Sequence, residues 1–275
     1  MSSSEAMLEL CQSCFALNNV GVTLMEKNRF RAAAVTFYAA ISALKTAAAL
    51  PDQYNVKAFL TLRNRLAKAS AWAAQKQRQG PSCGVEIMAV DNDDGAALEA
   101  AHLYGPAASL VFPIRFRELP TMKCLENGLD AQIITVVFYN AGLAQMLHHR
   151  CLGIAAQASE RAHPSAQVAL NLALAKAARF FSVANRALQF NVNHQLPHSS
   201  QQTTTDNHDS SIDQFRVLCL SSMVLASWSV TLRYRHEKEK VAQIEARLEE
   251  LEQMRLLWEQ KTILVAREDQ AAGAA

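Results

Sequence analysis

Apolar positions recur with the period of an α-helix over most of this chain, beginning near the N-terminus. Two helices are predicted across 4–50, because apolar residues recur every three or four positions on both sides of the polar stretch MEKNR at 25–29. In the second helix Ala33, Phe37 and Ala40 follow at steps of four and three, which places them on one face. The pattern therefore predicts two helices folded back on each other through that face.

The same pattern divides the rest of the chain. The stretch 80–120 contains two β-prone runs, and Pro113 in the second run predicts an edge strand because proline has no N–H to donate to a ladder. The stretch 191–212 has few large apolar groups with which to offset the entropy of ordering. The predicted segments are a first repeat and third helix at 4–79 (the third helix at 54–79), a β-hairpin or irregular excursion at 80–120, a second helical repeat at 129–190, a flexible polar loop at 191–212 and a pair of helices at 213–265.

A second pair of helices repeats the spacing of the first. Ala177, Phe181 and Ala184 reproduce the steps of four and three, and Gly142 lies in the preceding helix as Gly21 does in the first pair. The distance from glycine to the first alanine is 12 residues in the first pair and 35 in the second. This difference predicts about 23 inserted residues around 149–168.

These residues together resemble the tetratricopeptide repeat, whose signature is a small residue in the first helix, an aromatic residue near the start of the second, and Ala, Phe and Ala along it. The resemblance is carried by Gly21, Phe30, Ala33, Phe37 and Ala40 in the first pair and by Gly142, Ala177, Phe181 and Ala184 in the second. FYNAGLAQMLHH and LAKAARFFSVA are also similar to a large group of divergent tetratricopeptide-like proteins from diatoms and related algae. The resemblance implies a mostly α fold of antiparallel helical hairpins, stacked as an α-solenoid or bundle, and almost nothing about activity.

Composition agrees with a single helical domain over residues 1–275. Hydrophobic residues make up 50% of the chain, enough for a core, while 9 glycines and 7 prolines are about half the usual share of helix breakers. The net charge of +2 gives no strong field, so neither nucleic acid nor a membrane is expected as a partner. The N-terminal stretch has no secretory pattern, which predicts an intracellular, cytoplasmic protein with reduced cysteines.

Three motifs invite a chemical interpretation, and each has a simpler one. Cys11 and Cys14 have the spacing of a metal or redox pair, but no second pair follows, so two packed thiols are expected. His148 and His149 are expected near a helix end, where they interact with the helix dipole, rather than in a metal site with Cys151. The acidic turn DNDDG at 91–95 does not fit the calcium-binding loop register. We therefore expect no catalytic residues, no metal and no cofactor.

A partner is expected to bind the face formed by the first helices of the two repeats. Relative to the glycines, the positions that would hold a carboxylate in the resembling family are Asn18 and Val22 in the first repeat, and Tyr139 and Leu143 in the second. None of these four residues is basic, so they do not form the carboxylate-binding site of that family. An amphipathic helix or apolar peptide is therefore the expected ligand. The alternative is that Val22 and Leu143 simply pack against the next helix.

The charged helix at 236–265 also has two interpretations. Its apolar stripe either caps the stack or pairs with a helix of a partner, and Arg247–Glu250 and Glu252–Arg255 are spaced to form ion pairs along it. The pattern as a whole predicts a non-enzymatic adaptor or scaffold that binds a protein segment. The alternatives are a structural homo-oligomer formed through this helix, or an enzyme with an unrecognised site near His148 and Cys151.

Overall fold

The computed structural model describes residues 3–49, 113–116, 131–158, 164–195 and 207–273, and these ranges contain six helices. The predicted helix at 54–79 and most of the 80–120 stretch lie outside the described residues. The helices are α1 (Ser3–Glu26), α2 (Phe30–Ala49), α3 (Ala131–Ala158), α4 (Pro164–Gln195), α5 (Asn207–Tyr234) and α6 (Lys238–Gly273).

The helices pair as successive antiparallel hairpins that stack on one another. Hairpins form between α1 and α2, between α3 and α4, and between α5 and α6; α2 then packs against α3, and α4 against α5. The first helices of neighbouring hairpins touch more lightly, α1 with α3 and α3 with α5. The mostly helical fold class is confirmed. In the 80–120 stretch only 113–116 are described, and these residues form no strand, so the predicted β-hairpin has no support.

Each of the first two hairpins is closed by a glycine that lies against a phenylalanine ring. A Cβ atom added to Gly21 would lie 2.6 Å from Cε1 of Phe37, and one added to Gly142 would lie 2.8 Å from Cε1 of Phe181. Both rings are fully buried. The absence of a side chain at the two glycines therefore allows the helices to approach until the ring fills the space between them. The other residues of the repeat pattern are all buried as well: Phe30, Ala33, Ala40, Ala177 and Ala184.

The extra residues of the second hairpin lengthen its helices. α1 ends five residues after Gly21, whereas α3 continues to Ala158, and α4 begins well before Ala177, at Pro164. Proline suits this first helical position because its missing N–H would have had no partner within the helix. The described part of the predicted insertion thus forms an extension of both helices beyond the Gly142–Phe181 contact.

The third hairpin turns in the same way as the first. Asn28 and His236 both adopt left-handed backbone conformations, with φ of 56° and 59°. In each case the N–H of the following residue returns to a carbonyl five residues earlier, that of Leu24 or of Leu232. This is the Schellman arrangement, in which the end of one helix is capped before the next begins.

Matching the two turns shows which residues of the third hairpin correspond to the glycine and the phenylalanine. Ser229 takes the position of Gly21 and Glu245 that of Phe37, and the Ser229 hydroxyl donates to Glu245 Oε1 at 3.2 Å. Arg233 also binds Glu245, with Nε 3.0 Å from Oε1. When the turns are matched, the third hairpin thus has a polar contact at the place where the first two have a glycine–aromatic contact.

The structure corrects one expectation about the C-terminal part of the chain and confirms another. The stretch 191–212 was expected to be a flexible loop, but α4 extends to Gln195 and α5 begins at Asn207, so its described ends are helical. The ion pairs Arg247–Glu250 and Glu252–Arg255 are present. The apolar stripe of α6 packs on α5 through Val241, Ile244 and Leu251.

The C-terminal part of α5 is a largely apolar stretch. Its window Val217–Tyr234 is long and apolar enough to cross a membrane by length and composition alone, and 44% of the window is buried inside the fold. Core helices meet the same criterion, so a single window of this kind is weak evidence for a membrane span.

Candidate functional site: an internal peptide held by two hairpins

The four residues expected to meet a partner lie in the interior. Asn18, Val22, Tyr139 and Leu143 have no exposed surface. Val22, Tyr139 and Leu143 belong to the hydrophobic core shared by the first two hairpins, which corresponds to the packing alternative. Asn18 differs from these three, because its amide contacts another part of the chain.

That part is the short segment 113–116, which lies across α1 and α3. Asn140 on α3 binds both main-chain groups of Ile114: the Ile114 N–H donates to Asn140 Oδ1 at 2.9 Å, and Asn140 Nδ2 donates to the Ile114 carbonyl at 2.7 Å. One side-chain amide thereby satisfies the donor and the acceptor of one residue, as a neighbouring strand would in a sheet.

Asn19 on α1 makes the same pair of contacts with Phe116. The Phe116 N–H donates to Asn19 Oδ1 at 2.9 Å, and Asn19 Nδ2 donates to the Phe116 carbonyl at 2.7 Å. Ile114 and Phe116 thus present their main-chain groups to the same side. This period of two is that of an extended chain.

Asn19 and Asn140 are equivalent residues of two repeats. Each lies two positions before the glycine of its hairpin, in the sequences Asn19-Val-Gly21 and Asn140-Ala-Gly142. Because these glycines lie against equivalent rings, the two asparagines project from equivalent places on α1 and α3. The third hairpin has Ser227 at this position. The repeat itself therefore produces the regular spacing of the two amides.

Asn18 links the two hairpins at this point. Its Nδ2 donates to the Ile114 carbonyl at 3.0 Å, while its Oδ1 accepts from Asn140 Nδ2 at 2.9 Å. The three asparagines and the segment form one hydrogen-bonded network, in which each buried amide is paired.

The side chains of Arg115 and Phe116 contact α1. The rings of Phe116 and Phe15 stack with centroids 3.9 Å apart and planes 13° apart. Arg115 Nη2 lies 2.5 Å from Glu26 Oε2 and 3.0 Å from Thr23 Oγ1, with Glu26 24% exposed and Arg115 26% exposed. The guanidinium also donates to the carbonyl of Asn19. The main chain of Ile114 and Phe116 is therefore held by both hairpins, and the side chains of Arg115 and Phe116 contact the first hairpin.

The sequence-based prediction named Asn18 as a partner-binding residue and did not name Asn19 or Asn140. The signal was present, since both hairpins contain Asn two residues before the glycine. It was overlooked because the positions that were compared lie three residues before and one residue after the glycine. The occupant of the site was not detectable from helical periodicity, because residues 113–116 are separated from α1 by nearly a hundred positions.

The cysteines and histidines that were considered for chemistry have no such organisation. Burial raises the pKa of Cys11 to about 11, and burial followed by the nearby Cys11 raises the pKa of Cys14 further. His148 and His149 lie within α3 rather than at its end, so the predicted dipole role is wrong, and burial lowers the pKa of both. In the described part of the chain, no three His, Cys, Asp or Glu side chains are grouped to hold a metal ion.

Comparison with known proteins adds no relative: no protein-family model, curated protein or solved structure matches this sequence.

Proposed function

We propose that this protein is a non-enzymatic interaction scaffold whose first two hairpins bind an extended polypeptide segment by its main chain. The observation that carries the proposal is the equivalent use of Asn19 and Asn140, each pairing with the N–H and the carbonyl of alternate residues of one segment. Main-chain binding of this kind is the helical counterpart of strand addition, because affinity comes from the backbone and selectivity from the side chains.

The geometry favours an extended ligand over the amphipathic helix or apolar peptide expected from the sequence. A helical ligand has its main-chain donors and acceptors paired internally, so it offers none to an asparagine amide. An extended segment offers both groups of every second residue on one side. The ligand class of the proposal is therefore a protein segment without helical structure.

Photo-crosslinking from the edge of the site tests this function. Ala16 is exposed and lies one turn before Asn19 on α1, so benzoylphenylalanine at this position reaches a bound segment without replacing a contact residue. The matched control has the same group at Ala175, which is exposed on α4.

The expected result is a protein captured through Ala16 and not through Ala175, with the crosslink mapped by mass spectrometry to a segment that is not helical. Capture of the same proteins from both positions, or mapping of the crosslink to a helix, contradicts the proposal.

Self-association through the end of α6 is a second candidate. Leu256 and Leu257 are 45% and 66% exposed, although they follow the stripe that packs on α5. Light scattering tests this candidate: if the protein is a dimer, Leu256→Glu with Leu257→Glu should make it monomeric, whereas a wild-type monomer excludes the candidate.

A further inference from the structure

We propose that residues 113–116 are an internal stand-in for the ligand. The site would take, from a second protein, an extended segment in which an apolar residue, an arginine and an aromatic residue follow one another, in exchange for Ile114, Arg115 and Phe116. This inference rests on the proposed function and adds to it the chemistry of the ligand and the way in which the site is kept closed.

The contacts of the segment are those that a separate peptide would make. Its hydrogen bonds and its ion pair reach residues 26 positions away in α3 and about 90 to 97 positions away in α1. All of these contacts are noncovalent. A segment of another chain with the same main-chain path would satisfy the same amides, because the side-chain amides of Asn19 and Asn140 pair with main-chain groups of the segment.

Two side-chain contacts define which segments fit. The stack between Phe15 and Phe116 requires a flat ring at the last position. The Glu26 carboxylate requires a positive group at the middle position, and Thr23 Oγ1 and the Asn19 carbonyl accept from the same guanidinium. An arginine satisfies three separate acceptors, which the more compact ammonium group of lysine reaches less well.

The internal segment competes with any such ligand through its high effective concentration. Tethering in the same chain gives a local concentration that a free peptide reaches only in the millimolar range. The apparent affinity for an external segment is then reduced by the fraction of molecules in which the site is open. Weakening the internal segment alone should therefore strengthen external binding, an effect that a merely structural segment would not produce.

The test uses the full chain and a fluorescent peptide with the sequence of residues 110–119, LVFPIRFREL. The variant Arg115→Ala with Phe116→Ala removes the ion pair with Glu26 and the ring stack with Phe15, and it leaves the sequences of α1 and α3 unchanged. The matched control is Arg31→Ala with Val35→Ala, at exposed positions of α2. Fluorescence anisotropy should show the peptide binding at least tenfold more tightly to the segment variant than to the wild type and the control.

Charge reversal identifies the site on the protein. A peptide with glutamate at the position of Arg115 should bind the segment variant at least tenfold more weakly, and Glu26→Arg in that variant should restore the binding. If the segment variant loses helicity by circular dichroism, Arg115→Glu replaces it, because this change repels Glu26 without altering the aromatic stack.

Equal affinity for the wild type and a folded segment variant overturns the inference, as does the absence of binding to both. Residues 113–116 would then be a fixed part of the fold. The proposed function is judged separately, by whether a partner is crosslinked at Ala16.

Discussion

At the scale of single residues, two glycines determine how closely the helices of a hairpin approach. Gly21→Ala would place a methyl group 2.6 Å from the fully buried Phe37 ring. Overpacking of this kind costs about 1–3 kcal/mol, while replacing a helical glycine by alanine returns about 1 kcal/mol. We expect urea unfolding to show a net loss of stability of up to about 2 kcal/mol.

Gly153→Ala is the matched control. Its added methyl group would have Leu170 Cδ2 as its nearest neighbour at 3.9 Å, an ordinary contact. This variant should be more stable than the wild type by about 0.5–1 kcal/mol. If both alanine variants gain stability, the close packing between Gly21 and Phe37 is absent in solution.

The pair Cys11 and Cys14 should be chemically inert in the folded protein. Burial raises the pKa of Cys11 from 9.0 to about 11, and it raises that of Cys14 as well, so the thiolate that reacts is scarce near neutral pH. A maleimide reagent at about pH 7.5 should label both residues only after unfolding in denaturant, where thiols titrate normally. Mass spectrometry of the peptides checks this, and rapid labelling of Cys11 in the native protein would contradict the buried placement of α1.

Residue identities predict how the helices around the site pack, but they do not predict the hydrogen bonds of the site. Small residues and an aromatic at fixed steps identify the Gly21–Phe37 and Gly142–Phe181 contacts, because packing constrains size and spacing together. A residue that forms hydrogen bonds is not constrained in size and spacing in this way. The sequence around Asn19 would be equally compatible with an asparagine on a solvated surface. Its role becomes evident only when the main chain of Phe116 is known to lie beside it.

At the scale of the element, the third hairpin contains a contact that depends on pH, between Glu245 and Arg233. The Arg233 hydrogen bond is the main cause of a lowered pKa for Glu245, and the positive charge of Arg233 and the hydrogen bond from the Ser229 hydroxyl lower it further. A carboxyl group with a lowered pKa in the fold stabilises the fold above its ordinary value of 4.5, and this contribution is lost as the pH falls through the folded pKa.

We therefore expect Glu245→Gln to reduce the fall in melting temperature between about pH 5 and pH 3, since glutamine accepts the same hydrogen bonds without titrating. The effect should be small, because the side chains of Arg233 and Glu245 are 62% and 40% exposed. Glu239→Gln, at an exposed position of the same helix, is the control for the loss of one carboxylate from α6. Identical pH profiles for Glu245→Gln and the wild type would show that the contact contributes nothing.

The elements themselves differ in how well the sequence predicts them. α2 ends at Ala49 as expected, because Pro51 follows and the residue before a proline avoids the helical region. The third hairpin was seen only as two helices, because its repeat residues are Ser229 and Glu245 instead of glycine and phenylalanine. With a polar pair at those positions the turn keeps its geometry, but the glycine and phenylalanine that identify the first two hairpins in the sequence are missing.

At the scale of the whole molecule, the stacked hairpins place equivalent side chains side by side, and the chain uses two of them to hold its own segment. The packing of α2 on α3 brings α1 and α3 close enough for Asn18 and Asn140 to bond directly. This arrangement depends on contacts between residues about 120 positions apart, which neither local periodicity nor composition specifies. The stack was predictable from the repeat, whereas the occupied site was not.

The most direct measurement is amide hydrogen exchange by NMR on protein labelled with 15N at isoleucine and phenylalanine. The Ile114 and Phe116 amides donate to Asn140 and Asn19, so both should exchange slowly. Asn140→Ala should speed exchange at Ile114 more than at Phe116, and Asn19→Ala should do the reverse. Asn171→Ala, at an exposed position of α4, should change neither amide. Fast exchange at both amides in the wild-type protein would contradict the account, because the segment would then not be held by the two asparagines.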